Sequence, residues 1–313
     1  MLALLFPGQA SQAVGMGVEL RRATARAREL FGLADRITGL PITRLTEEGP
    51  IERLTDTRVA QPALVATSLA ALAVLREQVN LRPAAVAGHS VGEIAAYVAA
   101  GALDEESALL LVNARAQAMA AACQTVDGTM AAVLGLAAEQ LQTICEQASG
   151  KDGSVELANL NAPGQLIISG TRAAIDRASE LARVTGAKRV LPLSVGGPFH
   201  SVYMRPAAEQ LAAALHDYPP GLAAVPVVAN VSAEPIQSPV DLTWELVSQV
   251  YSPVRWSESL VRLASVGCLR FVEVGPGKVL AGLVKRTLPQ AQVASFGSPA
   301  DLAEACAVLA ADT

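Results

Sequence analysis

The sequence AAVAGHSVGEIAAYVAA, residues 84–100, combines a short apolar segment, a serine between two glycines and a helix-forming segment. We expect a strand over Ala84–Ala87, a tight turn over Gly88–Gly92 and a helix over Glu93–Ala100. The turn matches the Gly-x-Ser-x-Gly nucleophile elbow, in which a serine stands at the tip of a sharp strand-to-helix turn. An oxyanion formed there meets N–H donors at the start of the helix. Ser90 is therefore the candidate nucleophile, with an ordinary glycine-rich turn as the alternative.

Apolar segments on both sides of this turn predict a large α/β domain. Hydrophobic residues make up 51% of the 313 residues and aromatic residues only 4%, a composition that suits helices packed on a buried parallel sheet. The predicted large domain comprises residues 1–124 and 195–313. Its further predicted strands are Leu2–Phe6, Pro226–Val231 and Leu269–Val274, and its helices are Arg21–Ile37, Gln61–Val79 with Pro62 in its first turn, a helix capped by Asp104 that ends near Cys123, and Leu242–Val250.

Residues 125–194 show a different pattern, which predicts a small domain inserted into the large one. We expect alternating strands and helices in a β-α-β-α-β order, and a run of this size fits a ferredoxin-like insert. The strands are expected at Met130–Leu136, Leu166–Ser169 and Arg189–Ser194, and the helices at Ala137–Ala148 and Thr171–Thr185.

Composition also excludes several classes of function. The formal net charge is −5 and no long basic run occurs, which argues against nucleic acid as a partner. The four cysteines lack metal-ligand spacing and are expected to be reduced thiols of a cytoplasmic protein. The apolar start, Leu2–Phe6, is too short for a signal peptide, and no apolar helix free of charged residues is long enough to span a bilayer. We therefore expect a protein without a membrane segment.

The chain contains three histidines, and one of them is the candidate general base. His89 adjoins Ser90, but neighbouring side chains diverge on a sharp turn, so a structural role is expected. His216 lies at a polar helix end and is expected to be exposed. His200 lies on a loop that follows an apolar strand, where catalytic groups are common. By elimination, His200 is the candidate base for Ser90, and a hydrogen-bonded loop histidine is the alternative.

Arg115 stands in an almost wholly apolar helix, and no acidic residue lies three or four positions away. A buried guanidinium stays charged and needs an anion. The anion is either a distant carboxylate or a substrate, and the planar fork suits the free acid of a dicarboxylic acyl group. A snorkelling arginine, or one paired elsewhere in the fold, is the alternative.

With these three residues, the chain resembles the malonyl-coenzyme A:acyl carrier protein transacylases of fatty-acid and polyketide synthesis. The resemblance covers nearly the whole chain and rests on several separate motifs in the same order. These motifs are FPGQASQ (6–12), TRVAQPAL (57–64), GHSVGE (88–93), NLNAPGQ (159–165), GPFHS (197–201), QVYSPV (249–254) and EVGPGKVL (273–280).

The resemblance implies an α/β-hydrolase-like large domain with a ferredoxin-like insert, and transfer of malonyl from malonyl-CoA to an acyl carrier protein without metal or bound cofactor. It implies that Ser90 carries the acyl group, His200 acts as base and Arg115 binds the malonyl carboxylate. The N–H groups of Gln9 and Val91 would form the oxyanion hole.

Further residues at matching positions are expected to contact the substrate or orient the site. Gln249 would position the histidine through its main-chain carbonyl, so the acid of a protease-type triad would be absent. Asn161 is expected to bind substrate. Phe199 is the form that accompanies malonyl rather than methylmalonyl in related polyketide acyltransferases. The chain departs from the family pattern at Ala10, a position that is usually glycine. If the backbone at this position has a positive φ, the alanine would shift the Gln9 amide.

An acidic carrier protein would need a local basic patch despite the net negative charge. Lys188-Arg189 and Lys285-Arg286 are candidates, and solvated surface charge is the alternative for both pairs. We expect a monomer.

Three other functions share parts of this pattern. A serine esterase or thioesterase has the same elbow, but its histidine usually lies near the end of the chain, and here no histidine follows His216. The malonyl transferase subunit of malonate decarboxylase would use the same residues with another carrier. A non-catalytic docking module would not need the set of Ser90, His200 and Arg115.

Overall fold

The structure, a computed structural model that describes residues 1–310, combines helices with two separate β-sheets. The strands are β1 (Leu2–Phe6), β2 (Ala85–Gly88), β3 (Gly128–Leu134), β4 (Val155–Ala162), β5 (Gln165–Thr171), β6 (Arg189–Pro192), β7 (Val227–Val228), β8 (Pro235–Ile236), β9 (Arg270–Val274) and β10 (Gln292–Phe296). The helices are α1 (Val18–Ala23), α2 (Ala25–Thr38), α3 (Ile42–Glu48), α4 (Ile51–Thr55), α5 (Thr57–Gln78), α6 (Gly92–Ala99), α7 (Glu105–Cys123), α8 (Ala138–Ala148), α9 (Arg172–Val184), α10 (Arg205–Asp217), α11 (Pro239–Gln249), α12 (Trp256–Ser265), α13 (Val279–Thr287) and α14 (Leu302–Leu309). Short 3₁₀ helices lie at Val202–Met204 and Pro299–Asp301.

The larger sheet has the strand order β10-β9-β1-β2-β7-β8 within residues 1–310. Neighbouring strands from β10 to β7 run parallel, and β8 closes one edge antiparallel. The central strand β1 is buried along its whole length. Leu4 and Phe6 pack into one apolar core, and Ala3 and Leu5 into another on the opposite face. Helices thus cover both faces, which explains why these strands are continuously apolar rather than alternating. The predicted parallel-sheet core is confirmed.

Several element boundaries differ from the sequence prediction, each for a local reason. The predicted helix Arg21–Ile37 is two helices, because Thr24 adopts an extended conformation and its side chain caps α2. The predicted strand Pro226–Val231 is reduced to β7, since Asn230 and its neighbours leave the sheet in a turn. Helix α5 begins at Thr57 rather than Gln61, because Asp56 caps it by accepting from the Arg58 N–H. The placement of Pro62 in the first turn was therefore wrong.

The smaller sheet is antiparallel and has the order β4-β5-β3-β6 within residues 1–310. Helices α8 and α9 pack on it around a separate apolar core. The predicted β-α-β-α-β order was wrong in one respect, because it omitted β4. The sequence of β4, VELANLNA, carries Glu156, Asn159 and Asn161 among its apolar residues and breaks its register with β5 twice. These bulges disturb the alternation by which a strand is recognised.

The free edge of β4 joins the smaller sheet to the larger part of the protein. Leu160 N–H donates to the Val254 carbonyl, and Val254 N–H donates to the Ala158 carbonyl, both at 2.9 Å. This short parallel bridge fixes the segment that follows α11, and Gln249 is the last residue of that helix. The smaller sheet therefore supports one wall of the region around Ser90.

Helix α5 has the length and composition of a membrane-spanning helix, but 89% of its apolar window is buried inside the protein. It contacts α2 and α7 extensively. Its apolar character therefore reflects its place in the core, as is common for the central helix of a globular domain.

Glu273 is a buried carboxylate on β9 of the larger sheet, and it caps α13. Its two oxygens accept from the N–H groups of Leu280 at 3.0 Å and Ala281 at 2.8 Å. Burial raises the pKa of Glu273 to about 7, although these hydrogen bonds oppose the shift. The group is therefore protonated more readily in the folded protein than in the unfolded chain.

This shift predicts that the free energy of unfolding falls as pH rises. The contribution of Glu273 is fully present below its ordinary pKa of 4.5 and is lost as pH rises through about 7, because the folded state resists the charge. The loss is of order 3 kcal/mol across that range. Urea unfolding of the wild type and Glu273→Gln at about pH 5 and about pH 8 measures it. If the free energy of unfolding of Glu273→Gln changed between the two pH values as much as that of the wild type, this assignment would be contradicted.

Candidate active site

The nucleophile elbow forms at the end of β2, and its geometry requires the glycines around Ser90. Ser90 has a φ of 51°, in the left-handed region that is strained for a serine. A Cβ on Gly88 would lie 2.1 Å from the backbone of Gly92, and a Cβ on Gly92 would lie 2.2 Å from the Phe6 carbonyl oxygen. The two glycines thus let strand, turn and helix α6 approach one another. The Ser90 side chain is presented at the start of α6.

His200 lies against Ser90. Its Nε2 atom is 2.7 Å from Ser90 Oγ, and its Nδ1 atom is 2.8 Å from the main-chain carbonyl oxygen of Gln249. Because a carbonyl only accepts, the hydrogen-bond network assigns the proton to Nδ1 and leaves the Nε2 lone pair facing the serine hydroxyl. The imidazole is thus oriented by a carbonyl, in the position that a carboxylate occupies in a protease triad.

The protonation state of His200 follows from its surroundings. The side chain is buried, and burial, followed by the positive charge of Arg115, lowers its pKa to about 3. The imidazole is consequently neutral at physiological pH. A neutral imidazole with its lone pair on a serine hydroxyl can accept the proton of that hydroxyl.

Arg115 reaches the same hydroxyl from helix α7. It is 1% exposed, and its Nη2 atom lies 3.2 Å from Ser90 Oγ. Its remaining partners are neutral amides: Gln61 Oε1 at 2.7 Å from Nη1 and Gln249 Oε1 at 2.9 Å from Nη2. Among residues 1–310, Arg115 forms no salt bridge. Of the two anion sources left open above, a direct carboxylate partner within this part of the chain is therefore excluded.

Arg115 remains charged despite its burial. Burial lowers its pKa to about 10, and the nearby Glu93 charge opposes that shift. The site therefore holds a buried positive charge beside the candidate nucleophile, which favours an anionic ligand.

The N–H groups of Gln9 and Val91 are the donors that the sequence analysis expects for an oxyanion hole. Neither N–H forms a hydrogen bond within the described residues 1–310. The loop that carries Gln9 packs on the elbow so closely that a Cβ on Gly8 would lie 2.4 Å from the His89 carbonyl oxygen. The Ser90 N–H is engaged by Asn230 Oδ1 at 2.8 Å, so it is not part of this donor pair.

Comparison with known proteins places this geometry in a family. The acyl transferase domain family matches residues 3–308. The chain belongs to the acyl transferase family. The malonyl CoA-acyl carrier protein transacylase of Bacillus subtilis is 45% identical over 298 residues, covering 95% of this chain and 94% of that protein. The enzyme of the same name from Escherichia coli K12 is 38% identical over 303 residues, covering 97% and 98%. The resemblance predicted from the motifs is thus confirmed.

Solved structures of the acyl transferase family agree with the fold. The malonyl-CoA:acyl carrier protein transacylase from Xanthomonas oryzae pv. oryzae has a TM-score of 0.93 and 40% identity, covering 99% of this chain and 98% of that one. A malonyl-transacylase solved in complex with a type II PKS acyl-carrier protein has a TM-score of 0.93 and 37% identity, covering 97% and 98%.

Ala10 is a residue where this member of the acyl transferase family carries backbone strain. Its φ is 81°, so the glycine that usually stands here would be unstrained and the alanine is not. The Ala10 N–H donates to Gln12 Oε1 at 2.8 Å, which helps to hold the loop. The sequence analysis predicted that Ala10 affects the Gln9 amide only if its φ is positive. The structure meets this condition.

Ala10→Gly is expected to stabilise the protein. Relief of the left-handed strain outweighs the added freedom of the unfolded chain, for a net gain of roughly 0.5–1 kcal/mol in the free energy of unfolding. Urea unfolding of the variant beside Ala13→Gly gives a matched comparison, because Ala13 lies three residues away in the same loop without positive φ. Equal destabilisation by both substitutions would contradict the strain at Ala10.

His89 and Asn161 form a support beneath the elbow. His89 is half-buried, its Nε2 atom lies 2.8 Å from Asn161 Oδ1, and its ring meets Trp256 edge-on at 5.3 Å. Burial lowers the pKa of His89, so the neutral ring donates to Asn161. The Asn161 amide NH₂ has no hydrogen-bond partner within residues 1–310.

His216, the third histidine, is exposed at the end of α10, as the sequence analysis expects.

The other residues singled out in the sequence are placed as follows. Phe199 is buried in the large core, next to His200. Lys188-Arg189 and Lys285-Arg286 are exposed, and Arg286 donates to Gln165 Oε1 at 3.0 Å. The four cysteines are free thiols. Within residues 1–310, no group of three or more His, Cys, Asp or Glu side chains is placed to hold a metal ion.

Sequence reasoning missed three polar residues that hold the site. Gln61 bonds Arg115, and Asn230 accepts from the Ser90 N–H and donates to the Gly88 carbonyl oxygen at 2.7 Å. Glu93 accepts from both Asn230 and Gln249. Asn230 lies two residues beyond the carboxyl end of β7, where binding groups collect in parallel sheets, but the predicted strand Pro226–Val231 hid this position.

Proposed function

We propose that this protein transfers a malonyl group from malonyl-CoA to the phosphopantetheine thiol of an acyl carrier protein through a malonyl-Ser90 ester. The observation that carries the proposal is a buried Arg115, with only neutral partners among residues 1–310, whose Nη2 atom lies 3.2 Å from Ser90 Oγ. A fixed positive charge beside an activated hydroxyl suits an acyl group that ends in a carboxylate. Serine hydrolysis alone gives no reason for this arginine.

Acyl transfer begins with a proton transfer from Ser90 Oγ to His200 Nε2. The hydroxyl oxygen forms a bond to the thioester carbonyl carbon of malonyl-CoA, and the carbonyl π electrons move to the oxygen. The Gln249 carbonyl keeps the imidazole in the orientation required and stabilises the imidazolium. When the tetrahedral adduct collapses, the carbon–sulfur bond breaks and the His200 proton passes to the leaving CoA sulfur. A malonyl ester of Ser90 remains.

The second half reverses these roles with another thiol. His200 accepts the proton of the phosphopantetheine thiol as its sulfur attacks the ester carbonyl, and Ser90 regains its proton when the ester bond breaks. In both halves the tetrahedral oxyanion would accept from the N–H groups of Gln9 and Val91. Each such donor contributes roughly 10²–10³ in rate. The scheme is a ping-pong exchange.

Substrate contacts are assigned to three further side chains. Arg115 would bind the malonyl carboxylate through the N–H that now reaches Ser90 Oγ and through those that the Gln61 and Gln249 amides leave free. The unpartnered amide NH₂ of Asn161 would donate to the substrate, since Asn161 is held against the elbow by His89. Phe199, buried beside His200, would limit room at the α-carbon and so favour malonyl over methylmalonyl.

We also propose finer labels for the fold. Residues 1–124 and 195–313 form an α/β-hydrolase-like domain, with residues 311–313 lying outside the described part. Residues 125–194 form a ferredoxin-like domain, which the β-α-β-β-α-β order of β3 to β6 supports. A cytoplasmic monomer remains the prediction for this chain.

The names of the relatives favour transfer to an acyl carrier protein over the other functions considered. A thioesterase would release malonate steadily into water. A malonate decarboxylase subunit would use the same chemistry with a different carrier.

A single assay separates these functions. Purified protein is mixed with radiolabelled malonyl-CoA, first alone and then with a holo acyl carrier protein. Without carrier, we expect a burst in which the amount of CoA released equals the amount of enzyme, after which release stops. When the carrier is added, CoA release should resume and the label should appear on the carrier. Ser90→Ala should give no burst. Steady malonate release without carrier would contradict the proposal.

A further inference from the structure

Two side chains of a buried polar cluster behind Ser90 have no role in the transfer steps above. They are those of Glu93, in the first turn of α6, and Gln249, at the end of α11, which are 0% and 1% exposed. Glu93 has no salt-bridge partner among residues 1–310. A fully buried carboxylate is costly unless its oxygens are hydrogen-bonded, so its presence here calls for a physical reason.

Three donors point at the Glu93 carboxylate. Its Oε1 atom accepts from Asn230 N at 3.0 Å and from Asn230 Nδ2 at 2.8 Å. Its Oε2 atom accepts from Gln249 Nε2 at 2.5 Å. A carboxylate accepts from all three, whereas an amide in its place would turn a hydrogen toward one of them.

Glu93, together with the Ser90 carbonyl oxygen, fixes which way the Gln249 amide points. The NH₂ group of Gln249 donates to Glu93 and also to the Ser90 carbonyl oxygen at 3.0 Å. The amide oxygen is thereby turned to Arg115 Nη2 at 2.9 Å. A half-turn of the amide is sterically almost neutral, so its hydrogen-bond partners fix its orientation. The reverse orientation would bring the NH₂ group against the guanidinium, donor facing donor.

We propose that Glu93 is a positioning residue that acts through Gln249 to aim the Arg115 fork at the substrate carboxylate, and thereby sets the preference for malonyl. This inference rests on the proposed function. The Nη2 atom that Gln249 holds is the same atom that lies near Ser90 Oγ, so fixing it fixes the guanidinium beside the nucleophile.

Glu245 provides a matched comparison within the same cluster. It is 1% exposed and its Oε1 atom accepts from Val231 N at 2.8 Å, but it makes no hydrogen bond to Gln249 or Arg115. Glu245→Gln keeps one acceptor oxygen for Val231. General damage to the cluster should therefore appear in both glutamine variants. Misorientation of the Arg115 guanidinium should appear only in Glu93→Gln.

The test measures acylation of Ser90 by malonyl-CoA and by acetyl-CoA in the wild type, Glu93→Gln and Glu245→Gln. In Glu93→Gln the malonyl-to-acetyl ratio of kcat/KM should fall roughly 10- to 100-fold, the effect of one misplaced hydrogen bond to a charged group. In Glu245→Gln the ratio should be unchanged. Equal losses for both acyl groups in Glu93→Gln, or equal ratios in the two variants, would overturn the positioning role.

Two further arms keep the outcome decisive. If Glu93→Gln does not fold, Gln249→Met replaces it, because it removes the amide while keeping the main-chain carbonyl that His200 needs; an unchanged ratio in Gln249→Met overturns the role. If the wild type itself takes no malonyl group, the proposed function fails. If the wild type prefers malonyl and Glu93→Gln prefers it equally, only the positioning role fails.

Discussion

Replacing His200 with alanine is expected to slow acylation of Ser90 by malonyl-CoA by about 10²–10⁴, the usual contribution of a positioned general base. His200 Nε2 lies 2.7 Å from Ser90 Oγ and has no evident substitute, because His89 donates its own Nε2 proton to Asn161. Stopped-flow measurement of CoA release gives the acylation rate directly. His216→Ala, which alters an exposed histidine, is the matched control and should acylate at the wild-type rate.

The pH dependence of the same step adds an independent check. The imidazole of His200 has a pKa of about 3 instead of 6.5 because of burial and the charge of Arg115. Since the neutral form is the base, the acylation rate should not fall as pH is lowered through 6.5, and a loss due to His200 should begin only well below that value. An acid limb centred near 6.5 would contradict the buried, neutral imidazole.

The second large effect is expected for Arg115→Ala. Malonyl transfer should lose about 2–5 kcal/mol of transition-state stabilisation, the usual effect of removing one partner of a buried charge pair. Acetyl transfer should be less affected or improve, because a neutral acyl group leaves the wild-type guanidinium buried and without an anion. The measurement is kcat/KM for malonyl-CoA and acetyl-CoA in parallel.

Two outcomes bear on this role of Arg115. Arg183→Ala removes an exposed arginine on α9 and should leave both rates unchanged, which controls for a loss of net positive charge. If Arg115→Ala retained the full wild-type preference for malonyl, the guanidinium would not be the group that recognises the acid.

The elbow and the parallel core could be predicted from sequence because their signals are local. Gly88 and Gly92 flank Ser90 where a Cβ would collide with backbone, and β1 is apolar on both faces because helices cover both. Arg115 stood out because its helix offers it no carboxylate. For Gly88 and Arg115 the relevant neighbours lie within a few residues, and for β1 the signal is one continuous apolar run.

The remaining features depend on contacts between distant segments. Strand β4 was missed because its polar residues and bulges serve the junction with Val254 rather than its own sheet. Asn230 lies 140 positions from Ser90, whose N–H it binds. Glu93 was assigned only as the start of a helix, although its carboxylate is satisfied by residues more than 130 positions away. No local pattern encodes such partners.

The most direct measurement of the central claim is peptide mass spectrometry after brief incubation with equal amounts of malonyl-CoA and acetyl-CoA. We expect a malonyl adduct on the peptide that contains Ser90, with little acetyl adduct, and no adduct on that peptide in Ser90→Ala. A malonyl adduct on another residue, or equal labelling of Ser90 by both acyl groups, would contradict a serine nucleophile that is served by a carboxylate-binding arginine.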